Sequence, residues 1–249
     1  MATKKYNLSG YTRVRVKTAV DAEIIRSDSF SIDTETGPLS PVRIRQKGDT
    51  LTINRPWYWF VFGFFFALSR AHIRIAMIEL RELGVSGNSS AGVAGFSSPN
   101  EFKLMLSEAS SFGGDLKAGD ARLDISGASQ AEFNGSSSNL FLKVKGASNL
   151  TGNLNVEGKA EIAVSGDSSI KLTGSAGNIL ADINGISNAD MDGFSAHDIS
   201  IKLNKISRGT IKLDGKLDAE VAGASDLRWI GNPVMGSINV TSGSVLRQK

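Results

Sequence analysis

Acidic residues are the first candidates for chemistry in this chain. Asp124, Glu132, Asp182, Asp190, Asp192, Asp214, Asp218 and Glu220 all fall where a strand would turn them outward. Carboxylates clustered on one face can do the acid and base work of glycoside hydrolysis, or hold a calcium ion. Such a site needs acid stacked over acid. The spacing predicts instead that Asp190 and Asp192 share strand positions with Lys171 and Thr173 one turn below, and with Thr210 and Lys212 near the turn above. Acids interleaved with bases make a solvated outer face of mixed charge. His197 beside Asp198, among many serines, has the ingredients of a hydrolase dyad, but no nucleophile-elbow pattern accompanies it. His72 is the other histidine. Cysteine is absent, so disulfides, thiol chemistry and a cysteine zinc site are excluded. There is no phosphate-loop or dinucleotide fingerprint. The expectation is a chain with no catalytic residue, no metal site and no cofactor.

Two features have the chemistry of binding. Arg13, Arg15 and Lys17 alternate with apolar residues, and Arg43 and Arg45 repeat the pattern. Together they read as a basic stripe on one sheet face, suited to an anionic glycan or headgroup, or simply as the wet side of an amphipathic sheet. The second is the run from Trp57 to Leu68, which carries Trp57, Tyr58, Trp59, Phe60, Phe62, Phe64, Phe65 and Phe66. At twelve residues it is shorter than the roughly 18–20 needed to span a bilayer as a helix. It suits a loop or strand packed on the cap or in an oligomer interface, or a loop dipping into a membrane interface, with Arg55, Arg70 and Arg74 nearby.

The elements that must position these residues come from a repeat. Leu123-Asp-Ile-Ser-Gly-Ala-Ser129, Leu142-Lys-Val-Lys-Gly-Ala-Ser148 and Ile162-Ala-Val-Ser-Gly-Asp-Ser168 are copies, and looser ones end at Ser89, Ser110, Ser187, Ser207, Ser225 and Ser244. These nine serines are 18 to 21 residues apart, with a mean of about 19.4. After each serine a second alternating segment follows, ending in Gly at Gly135, Gly174, Gly193 and Gly231. Both halves have a period of two and read as short strands with one face inward; the Gly-small-Ser between them reads as a tight corner. Such units are too short for propeller blades and lack a leucine-rich signature. They predict an all-β chain, a right-handed parallel β-helix of about eight turns of 19–20 residues, with corner Ser and Asn in hydrogen-bonded ladders. In it, Val144, Val164 and Ile183 would queue in one interior file.

Residues 1–82 read as an N-terminal β cap with the aromatic loop at 57–68, and 83–249 as the β-helix. Lys47-Gly48-Asp49 marks a hairpin turn within the cap. Charge is uneven: the net of +3 combines +5 over residues 1–100 with −2 over the rest. With no run of five like charges and no recognised motif, nucleic acid is not an expected partner. The start, Met1-Ala-Thr-Lys-Lys-Tyr6, lacks the apolar centre of a signal peptide, so for an exported protein the signal is expected to have been removed.

The repeated hydrophobic-x-hydrophobic-Ser-Gly-Ala-Ser, the opening Tyr11-Thr-Arg-Val-Arg-Val16 and the ending from Leu217 through Gly231-Asn-Pro233 resemble the putative auto-transporter adhesin, head GIN domain family. The resemblance runs from Tyr6 to about Leu246 and implies a β-helical C-terminal part and a bacterial envelope or secreted location. It implies no catalytic residues. Glu108 and Lys205 stand where other corners have glycine, so local distortion is expected there. The expected function is a non-catalytic cell-envelope binding or adhesion module whose partner is a glycan, an envelope component or a second copy. A carbohydrate-active lyase or hydrolase and a self-assembling membrane-associated scaffold are the alternatives.

Overall fold

The structure is a computed structural model that describes residues 2–36, 41–55, 70–241 and 243–249. Among them are twenty-two strands and no helix. The first seven are β1 (Ala2–Lys5), β2 (Arg13–Lys17), β3 (Val20–Arg26), β4 (Ser31–Thr36), β5 (Arg43–Lys47), β6 (Thr50–Asn54) and β7 (Ala71–Met77). Then come β8 (Glu82–Ser86), β9 (Ser90–Ser97), β10 (Phe102–Leu106), β11 (Ser111–Lys117), β12 (Asp120–Ile125), β13 (Gln130–Ser137) and β14 (Asn139–Val144). Three long strands follow, β15 (Asn149–Val164), β16 (Ser169–Gly185) and β17 (Asn188–Lys205). The last are β18 (Arg208–Leu213), β19 (Lys216–Val221), β20 (Asp226–Ile230), β21 (Val234–Val240) and β22 (Val245–Gln248).

The chain coils as a parallel β-solenoid. Each turn contributes one strand before its serine corner and one after it. Strands before the corner stack as β8, β10, β12, β14, the second halves of β15, β16 and β17, then β19 and β21. Those after it stack as β9, β11, β13, the first halves of β15, β16 and β17, then β18, β20 and β22. Eight turns separate Ser89 from Ser244. Period-two alternation buries every second residue, and register queues them: Val85, Leu106, Ile125, Val144, Val164, Ile183, Leu203 and Val221 form one buried interior file. Large residues are accommodated by small ones on adjacent turns. Phe133 lies between Gly114 and Gly152 and packs 6.2 Å from Phe102 and 6.1 Å from Phe112, ring centre to ring centre.

The corners carry a ladder. Ser89, Ser110, Ser129, Ser148, Ser168, Ser187, Ser207 and Ser225 are all buried. The amides of Ser89, Ser110, Ser129 and Ser148 each donate to the hydroxyl oxygen of the serine on the next turn, at 3.3–3.4 Å. Hydroxyls of Ser129, Ser168, Ser187, Ser207 and Ser225 donate to the carbonyl three residues back, at 2.7–2.9 Å. A buried polar group costs stability unless it is bonded, and this ladder satisfies serine hydroxyls and backbone together. Glu108 and Lys205 keep the corner geometry, adopting the left-handed backbone themselves, with φ of 58° and 68°.

A separate N-terminal cap is not confirmed, and the pairing shows what those strands do. Strands β2 and β3 form a turn of the coil, parallel to β8 and β9 on one side and to β6 and β7 on the other. The turn that comes first in sequence is therefore inserted between two later ones. Among the described strands, antiparallel pairing joins β5 to β6 and β4 to β7, covering the coil's strand edges at this end, and β1 to the outer edge of β4. The hairpin turn has Gly48 in the left-handed region, at φ 58°.

Candidate binding surfaces

Alternation turns Arg13, Arg15 and Lys17 outward on β2, and Arg43 and Arg45 outward on β5. Register places Thr52 of β6 between Arg15 and Arg45, so all five bases share one flank of the coil. Acids interleave with them. Glu82 lies 3.5 Å from Arg15 and 3.9 Å from Arg13, and Asp49 is 3.4 Å from Arg13. The run Trp57, Tyr58, Trp59, Phe60, Phe62, Phe64, Phe65 and Phe66 lies outside the described residues. Of the arginines beside it, Arg70 pairs with Asp21 at 2.9 Å and Arg74 with Glu23 at 3.5 Å, both acids being on β3. Among the described residues no helix is long and apolar enough to cross a membrane.

Along the same flank toward the C-terminus lies a depression of about 410 Å³. It is lined by Phe141, Glu161 and Leu180 along one outward file and by Lys143, Ala163 and Asp182 along the next, with Lys103 at one end. Leu180 is 41% exposed. The Arg122 guanidinium sits 4.5 Å from the centre of the Phe141 ring. Attention to charged residues missed this place. Its signal was a break in alternation, in Leu140-Phe141-Leu142 and Ile179-Leu180-Ala181, where an apolar residue occupies an outward position.

The candidate acids are distributed among bases. Asp190 lies beside Lys171 in register, with 3.9 Å between charged atoms, and Asp124, Asp218 and Glu220 pair with Lys145, Lys216 and Lys202. Asp192 does not face Thr173, because a bulge sets Gly193 there; its carboxylate meets Lys249 at 3.0 Å, which lowers its pKa. Asp218 is also held low, first by the Ser237 amide and then by Lys216.

His197 is clamped between acids. Its Nδ1 is 3.0 Å from Asp214 and its Nε2 is 4.0 Å from Asp198, and the Asp214 hydrogen bond raises its pKa, helped by both charges. The serines in its recess are occupied elsewhere: Ser195 donates to the Gly174 carbonyl and Ser175 to Asn155. That geometry makes a structural clasp between turns, with no serine presented to the imidazole. Among the described residues, no group of three His, Asp or Glu is placed to hold a metal ion.

A coil of stacked parallel strands belongs to the class of β-solenoid proteins. The chain is a member of the putative auto-transporter adhesin, head GIN domain family, whose profile matches residues 10–157 and again 138–233. The two overlapping matches follow from the internal repeat. The fold is shared with a putative adhesin from Parabacteroides distasonis, at a TM-score of 0.69 and 18% identity over 99% of this chain and 96% of that one. A putative lipid binding protein from the same organism aligns at 0.65 and 17% identity, over 100% and 96%. A putative adhesin from Parabacteroides merdae aligns at 0.63 and 14%, over 100% and 95%. Among curated proteins none is significantly similar in sequence.

Proposed function

We propose that this chain is a non-catalytic module of the bacterial cell surface that binds a glycan along the flank bearing the Phe141 depression. Its family and its fold neighbours support a surface binding role. The observation that carries the ligand class is a recess in which apolar Phe141, Ala163 and Leu180 alternate with charged Lys143, Glu161 and Asp182. A sugar presents an apolar ring face that can lie on Phe141, Ala163 and Leu180, and hydroxyls that can bond to Lys103, Lys143 and Asp182. Arg13, Arg15, Lys17, Arg43 and Arg45 extend the same flank and would favour anionic units of a longer polymer. The test is binding to a glycan array and to isolated envelope polysaccharide. Binding is expected to fall at least tenfold in a Phe141→Ser, Leu180→Ser double variant with an unchanged β-sheet circular dichroism signal. Failure of the unaltered protein to bind any glycan or envelope fraction would sink this reading.

A further inference from the structure

One outward position on the basic flank carries no side chain. Outward residues of β2, β8 and β10 stack in register, Arg15 and Met105 on either side of Gly84, and Lys17 beside Ser86. Ser107 follows beside Ser86, its amide donating to the Val85 carbonyl at 3.1 Å. At Gly84 a recess of about 250 Å³ opens, lined by Arg15, Lys17, Ser86, Met105 and Ser107. The backbone does not require glycine here, because Gly84 lies outside the left-handed region. Within 4 Å an added Cβ would meet Arg15 Cγ at 3.7 Å and Met105 Cε at 3.8 Å, which is ordinary contact. The hollow is therefore a feature of the surface that a side chain could fill.

Among the described residues, Lys17 has no ion pair, and the hydroxyls of Ser86 and Ser107 make no hydrogen bond. Ser126, next to Ser107 in the same file, is tied down instead, donating to the Leu106 carbonyl at 3.0 Å. Arg15 meets Glu82 through Nη2 at 3.5 Å, which leaves its Nε and Nη1 for a ligand. Two cations and two hydroxyls around one hollow suit an oxyanion, the guanidinium fork pairing two oxygens and the ammonium adding a point charge. We propose that this recess is the subsite for the carboxylate of an acidic sugar, so that the ligand of the flank is an acidic polysaccharide; this rests on the glycan reading above. Gly84 and Lys143 belong to one outward file, three strands apart, or roughly 14 Å at about 4.8 Å per strand. Lys103, without an ion pair among the described residues, and Arg122, which lies over Phe141, stand in the adjacent file between the two recesses. The acid in the file itself, Asp124, is paired with Lys145 at 3.4 Å. A sugar chain laid across the strands reaches both recesses, which a free anion or a single lipid headgroup does not.

A glycan array carrying polygalacturonate and alginate beside their methyl esters tests this on the whole chain, since acid and ester share a backbone and differ in charge. The acids are expected to bind at least tenfold more tightly than the esters at an ionic strength of about 0.15 M. Gly84→Val keeps every charge and fills the hollow, and should weaken binding of the acids at least fivefold with an unchanged β-sheet circular dichroism signal. Lys17→Gln, at an exposed side chain, should do the same. Lys212→Gln makes the same change in net charge at an exposed lysine of β18, on another face, and should leave binding as it was. Binding to neutral glycans alone, equal affinity for acid and ester, or a preference for acid indifferent to Gly84→Val and Lys17→Gln would overturn the proposal and leave the glycan reading in place. Binding confined to inorganic phosphate or to phosphatidylglycerol vesicles, with no glycan bound, would overturn both.

Discussion

Ser148 is fully buried; its hydroxyl oxygen accepts the Ser129 amide at 3.3 Å, and its own amide donates to Ser168 at 3.4 Å. Ser148→Ala would leave the Ser129 amide buried without its acceptor, a loss of about 1–3 kcal/mol measured by chemical denaturation. Ser175→Ala, on the surface, should stay within about 0.5 kcal/mol. Corner glycines follow the same logic. A Cβ at Gly146, with φ 85°, would lie 2.5 Å from the Gly127 carbonyl oxygen, so Gly146→Ala should be more damaging than Ser148→Ala. Lys205 tolerates φ 68° because it stacks on Gly185, and Lys205→Gly should raise stability by about 1 kcal/mol. The serine rhythm makes this ladder legible in the sequence, but it does not show that a non-glycine corner keeps its geometry. Tyr11 illustrates what spacing does not reveal. It is completely buried, 3.4 Å from the Ala76 carbonyl, and desolvation pushes its pKa up to about 12. The folded state holds that proton where the unfolded chain, titrating near 10, has lost it. Its stabilisation is therefore intact below pH 10 and declines as pH rises through about 12. Ultraviolet titration of the tyrosines should show one group ionising only at that upper limit.

A single turn is the element from which the column is built, and its boundaries are interchangeable where neighbouring turns match. Removing residues 169–187, from the end of one serine corner to the end of the next, would stack Asn188–Ala196 on Asn149–Val156 and Leu203 on Val164. Gly152 then faces Met191 and Gly166 faces Lys205, while Phe194 meets Leu154 in place of Gly174, so the cost of the deletion falls there. Repeat proteins gain stability from each unit and from its contacts with neighbours. The shortened chain should therefore fold with the same circular dichroism per residue and a lower unfolding midpoint. A deletion of half that length would put outward residues into the core and should not fold. Periodicity supplies this much of the fold, because parallel register repeats whatever the sequence separation. It also anticipates Lys171 beside Asp190. The bulge that displaces Asp192 is illegible, since an extra residue in one strand leaves the alternation on either side intact.

At the scale of the whole molecule, position in the stack differs from position in the chain. Nothing in the pattern of β2 and β3 says that they lie between β6–β7 and β8–β9. They lack the serine that marks later corners, Val20 standing in its place and Ala71 in the turn below. The ladder ends there, with the Val20 amide donating to Ser89 at 3.3 Å. Consequently Val16, near the start of the sequence, lies inside an interior file, between Ile53 and Val85, and is fully buried. Val240 closes the same file at the open end, 41% exposed. Val16→Ala should cost about 2 kcal/mol or more, as a cavity in a packed column, and Val240→Ala less than about 1. Amide hydrogen exchange separates the two further. The amides of β2 and β3 should be as protected as those of β10 to β17, and those of β21 and β22 should exchange first. Rapid exchange in β2 and β3 would mean that they lie on the outside of the column. Their insertion also sets an order of events, because β2 cannot meet β8, about 69 residues on, until that later turn exists. Slow folding is the expected consequence of such long-range pairing. Val16→Ala should therefore act mainly on the unfolding rate if this turn is the last to be enclosed.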